Sequence, residues 1–137
     1  MTPTPPSVVV QLEAAGVGLV VSVPEGRLPV VAHWGAALGR LDADLATDLV
    51  SAQQQVVGPN TVDVPARVAL LPEHHTGWVG RPGLAGSRGG RGWSPRFSVT
   101  AVTVDGMPVE GFVSGGAGVL TVDAADLELS LELRLTV

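Results

Sequence analysis

The sequence predicts an all-β protein, an antiparallel β-sandwich with one short helical segment. Three observations carry this. Valine and leucine dominate the apolar residues, 24 and 16 of 137, and β-branched valine suits a pleated, half-buried surface. Glycine (18) and proline (11) exceed their ordinary shares of about 7% and 5%, as tight turns between short strands require. Several segments also alternate apolar and polar residues with a period of two. The length suits one domain, so residues 1–137 are expected to form a single β-sandwich domain or a fragment of one.

The elements follow in order. Residues 7–12 place Val8, Val10 and Leu12 on one face. VGLVVSV (17–23) and PVVAHW (29–34) continue a meander, with Gly16 and the Pro24–Gly26 stretch supplying turns. Between 41 and 55 the period changes: Leu41, Leu45, Leu49 and Ala52 recur every three or four residues, which predicts a short helix. Asp42 and Asp44 sit at its start, where carboxylates complement the helix dipole. Gly58-Pro59-Asn60 stops it. RVALL (67–71) reads as a strand. FSVTAVTV (97–104), VEGFV (109–113) and GVLTVD (118–123) are strands around an Asp105-Gly106 turn and a Gly-rich bend at 114–118. The last, LELSLELRLTV (127–137), sets six apolar residues against five polar ones and reads as one half-buried strand. The chain stops on that pattern, as a piece of a longer protein would.

Composition excludes several classes. Without cysteine there is no disulfide framework, thiolate metal site or cysteine nucleophile. The first six residues lack the basic and apolar regions of a signal peptide, and no apolar run approaches the roughly 20 residues of a membrane span. A cytoplasmic chain is therefore expected, and the absence of Lys, Ile and Tyr suggests a GC-rich bacterial gene. The net charge of −5 argues against nucleic acid or an anionic membrane as the main partner.

The unusual side chains gather in residues 72–95, which are rich in glycine and proline and have no apolar period. A loop this long in a compact domain is usually functional. It holds Glu73, His74 and His75, then Arg81, Arg88 and Arg91, with Arg96 just beyond; no acid lies between Arg81 and Arg96. Trp78 and Trp93 flank the group. Guanidinium forks with a flat apolar face are what a sugar or anion site uses. The plainer readings stand beside this one. Adjacent His74 and His75 point to opposite sides of an extended chain, and with His33 they show no zinc-ligand spacing. Trp34 and Trp93 fit core or loop plugs better than ligand platforms. RGGRG (88–92) is a single copy in an acidic chain, weak as an RNA-binding signal. Glu73 is the only acid in the loop, whereas glycoside hydrolysis normally needs two carboxyls. No GxSxG, P-loop or GxGxxG occurs, so the residues contain no complete active site and imply no cofactor.

HWG (33–35) and LLPEHHTGWVGRPGLAGSRGGRGWSPRF (70–97) resemble the N-terminal β-domain of bacterial α-galactosidases of glycoside hydrolase family 36, in the actinobacterial manner. The resemblance spans most of the chain. It implies about half of a β-supersandwich of the galactose-mutarotase type, in a parent whose catalytic (β/α)8 barrel is absent here. Both catalytic aspartates of such enzymes lie in the barrel, so none maps onto this chain, and the 137 residues alone are expected to be inactive. In tetrameric relatives a loop of this domain borders a neighbouring subunit's sugar site through a T-D-F-R-x-P motif. GWVGRP matches its Arg and Pro at Arg81 and Pro82 but lacks its Asp. The resemblance thus implies substrate contact by Arg81, with Trp78, Glu73 and His74 completing the candidate set. α-Galactosides, met through the parent enzyme, and further copies of the chain are the expected partners. The alternatives are a free-standing carbohydrate-binding sandwich and a protein-interaction domain.

Overall fold

A computed structural model describes residues 7–60 and 67–137. The strands are β1 (Val8–Ala14), β2 (Val17–Val23), β3 (Val30–Ala36), β4 (Ser98–Val104), β5 (Met107–Pro108), β6 (Gly111–Gly115), β7 (Leu120–Asp126) and β8 (Leu131–Thr136), with one helix, α1 (Ala43–Ala52), after β3. Two four-stranded sheets form, in the orders β3-β2-β1-β6 and β5-β4-β7-β8. This is the predicted all-β sandwich with its short helix.

The alternation explains the core. Val8, Val10 and Leu12 of β1 and Val21 and Val23 of β2 face Val99 and Val102 of β4 and Leu120, Val122 and Ala124 of β7; Leu28 and Phe97 fill the same cluster. Burial of such a side chain contributes about 1.5–3 kcal/mol. Dipeptide turns join neighbours: Ala15-Gly16 (φ 51° and 79°) links β1 to β2, and Asp105-Gly106 (φ 49° and 79°) links β4 to β5. Positive φ at both positions matches the right-handed twist of hairpins.

One pairing departs from the antiparallel expectation. β1 and β6 run parallel, Val10 beside Val113. No tight turn can join parallel neighbours, and here the connection is almost the whole chain. Sheet one is closed by a strand that arrives only after sheet two has begun.

The face of sheet one turned away from the core is also buried, at Val20, Ser22 and Gln11. Gln11 organises it. Its Nε2 donates to the Gly39 carbonyl (2.6 Å) and to Glu13 (3.1 Å), and its Oε1 accepts from the Leu41 N–H (3.1 Å) and the Ser114 hydroxyl (3.0 Å). The segment before α1 is thereby fastened across β1 and β6. Helix α1 starts as the sequence suggests: Asp42 accepts from the Leu45 N–H (2.8 Å) as N-cap.

Two expectations are corrected. Residues 67–71 form no ladder among the described residues; the Leu70 N–H donates to the Pro29 carbonyl (2.8 Å), while Ala69 and Leu71 pack on the core. Their apolar spacing serves packing beneath the loop, not pairing. Residues 127–137 are not one strand. Asp126 accepts from the Leu129 N–H (3.0 Å) and Ser130 turns left-handed (φ 51°), so the chain reverses and β8 returns along β7 from Leu131. Leu131, Leu133 and Leu135 keep the core-facing side, but Leu127 is 89% exposed.

Candidate functional site

The loop from Pro72 to Pro95 is anchored by buried carboxylates at its root. Glu73 is 5% exposed, and its Oε1 accepts from the Phe97 N–H (2.8 Å) while its Oε2 lies 3.2 Å from Nε2 of His75. The neighbouring N–H, that of Arg96, donates to buried Asp126 (2.7 Å). Two consecutive amides just ahead of β4 are therefore taken by one carboxylate from the loop and one from β7. Burial alone would raise the Asp126 pKa, yet donors from Arg96, Leu129 and Glu128 outweigh it and hold the carboxyl below its ordinary value.

From Glu73 the chain makes one 3₁₀ turn, His74–Thr76, ended by Gly77 at φ 90°. A compact turn follows and presents Arg81. With its proton on Nε2, His74 donates to the Gly80 carbonyl (3.3 Å), and the Trp78 indole N–H donates to the Arg81 carbonyl (3.0 Å). The Trp78 ring lies so close over Gly80 that a Cβ there would come within 2.6 Å of it, so a side chain at this position would displace the indole. The Gly83 N–H closes the turn onto the Pro72 carbonyl (2.8 Å). Arg81 itself is exposed, and its guanidinium makes no hydrogen bond or ion pair among the described residues.

The four sequence candidates thus come together in unequal roles. Arg81 is the outward donor. Trp78 and His74 fix the backbone that carries it. Glu73, with both oxygens engaged inside, braces the loop root. Past Gly83 the chain folds back as a small hairpin in which Arg88 and Arg91 exchange both backbone bonds (2.8 and 3.1 Å) across Gly89-Gly90, each at positive φ. Trp34, on edge strand β3, and Trp93, in the loop, expected as plugs, are instead 73% and 68% exposed. His33 bonds the Ala36 carbonyl through Nε2 (2.9 Å). Among the described residues no three His, Asp or Glu side chains converge as metal ligands, and no helix is long and apolar enough to cross a membrane. Sequence reasoning missed Asp126 and Gln11: each sits in a strand as an ordinary polar residue, and only the fold shows which amides it receives.

These features define a β-sandwich domain that displays a braced, arginine-bearing loop. The family model described as the glycosyl hydrolase family 36 N-terminal domain matches residues 27–137, and the chain belongs to that family. It is an N-terminal domain of a glycoside hydrolase, with β1 and β2 ahead of the matched region. No curated protein and no solved structure matches the chain.

Proposed function

We propose that this chain is the non-catalytic N-terminal domain of an α-galactosidase and that the 78–82 turn offers Arg81 to the sugar at a neighbouring subunit's active site. The observation that supports it is the contrast between Arg81 and its surroundings. Its backbone is held by Trp78 and His74, yet its five guanidinium donors have no partner of their own among the described residues. A donor whose base is fixed loses little freedom on binding, so its bond to a sugar hydroxyl keeps most of its worth.

The test is Arg81→Ala in the full-length parent. A loss of at least about tenfold in kcat/KM on a terminal α-galactoside, corresponding to about 1.4 kcal/mol, is expected with an unchanged melting temperature. Arg81→Lys keeps the charge but not the planar fork and should recover only part. Unchanged kinetics in both variants would remove the substrate role.

A further inference from the structure

A second feature of the loop lies away from Arg81. Between the Arg88–Arg91 hairpin and the β7–β8 turn is an open cleft of about 440 Å³, its apolar wall made by Leu84, Pro95, Leu129 and Leu131 and its lip by Arg88. A Leu129 methyl fills the place where a side chain at Gly92 would begin, so the glycine lets the hairpin close on this wall. Arg88 and Arg91 are exposed. Ion pairs among the described residues are His75 with Glu73 and Arg134 with Asp123, so neither hairpin arginine is paired with an acid among them.

The complementary surface is on α1. The helix, ADLATDLVSA, contains no basic residue. Asp44 and Asp48, four apart, share one side, and both are exposed. Beside them Leu45 is 54% exposed, a large apolar side chain directed away from the packing made by buried Ala46. An acidic stripe around one leucine is thus displayed by the same protein that displays a cationic lip around an apolar cleft. Within one copy they do not meet, since α1 packs beside β6 in sheet one and the cleft lies beside β8 in sheet two.

We propose that the cleft receives α1 of a second copy of this chain, Leu45 entering between Leu84 and Leu129 while Asp44 and Asp48 face Arg88 and Arg91. This is helix-in-groove recognition with charges setting the register. Each copy carries both halves, so two copies either exchange helices reciprocally about a two-fold axis or join head to tail into rings or chains. It goes beyond the proposed substrate role because it uses a different part of the loop.

Sedimentation of the 137-residue chain tests it. Self-association is expected at about 0.1 M salt, weakening at least tenfold at about 1 M, where the screening length falls from about 10 to about 3 Å. Arg88→Glu/Arg91→Glu and Asp44→Arg/Asp48→Arg should each be monomeric alone. Mixed one to one they should associate again, because reversed lip then meets reversed helix and native lip meets native helix. The recombination also certifies that both variants are folded. If the helix variant melts early, Leu45→Gln takes its place and should by itself weaken association at least tenfold. A wild-type chain that stays monomeric, a mixture that stays monomeric, or an assembly that survives both reversals (through the open edge of β8, for example) overturns the proposal.

Discussion

Glu73 and Asp126 are buried carboxylates that receive backbone amides at the loop root, Phe97 N–H in a buried bond and the Arg96 and Leu129 N–H groups in part-buried ones. Removing the Glu73 carboxylate orphans the Phe97 N–H, a loss of about 1–3 kcal/mol. Glu73→Ala should therefore lower the melting temperature by several degrees, while Glu73→Gln, which keeps an acceptor, should lower it less; equal losses would refute the bond's importance. Asp126 gives a pH signature. Its folded-state pKa is depressed, so its contribution is complete above the unfolded value of about 4 and is lost as pH falls through the folded value. The stability gap between wild type and Asp126→Asn should be constant near neutrality and shrink in thermal melts below about pH 4. A gap that widens there would contradict the assignment. None of this was legible beforehand: a polar residue in a strand declares its face, not which distant amide will meet it.

At the scale of elements, alternation declares faces and turn chemistry declares neighbours, and the two kinds of information ran out at different places. Ala15-Gly16 and Asp105-Gly106 each lie at a strand boundary, and the strands beside them pair as sequence neighbours. The parallel β1–β6 pair has no local signal, since no short turn encodes it. The leucine pattern from 127 to 137 misled for a physical reason. Alternation continues through a two-sided reversal if the turn residues happen to keep the period, and Leu127 and Leu129 do. What breaks the strand is Ser130 at φ 51° together with the Asp126 carboxylate. A left-handed conformation costs an L residue about 1 kcal/mol or more, and glycine pays only entropy there. Ser130→Gly is thus expected to raise the melting temperature slightly, by about 0.5–1 kcal/mol in stability. A decrease would mean that the serine hydroxyl contributes more than the strain removes.

For the whole molecule, the division of labour between scaffold and chemistry decides what the chain can do alone. The loop at 72–95 stands out in the sequence as the candidate site because its composition breaks with both strand and helix periods, and the resemblance points to Arg81. The buttressing by Trp78 and His74 does not, because it depends on which carbonyls the turn exposes. Hydrolysis with retention needs two carboxyls about 5–5.5 Å apart, one able to attack and one able to exchange a proton. Among the described residues the buried carboxylates are Glu73 and Asp126, and both spend their oxygens on backbone amides, with His75 taking what Glu73 has left. Freeing either for catalysis would undo the root of the loop. The other acids of the described chain stand half or fully exposed, where nothing fixes a sugar between two of them. The isolated 137-residue chain is therefore expected to release no nitrophenol from a nitrophenyl α-galactoside above the rate in buffer. Activity that copurifies with the chain and falls in Glu73→Gln or Asp126→Asn, beyond what their melting temperatures explain, would show that these carboxylates do chemistry after all.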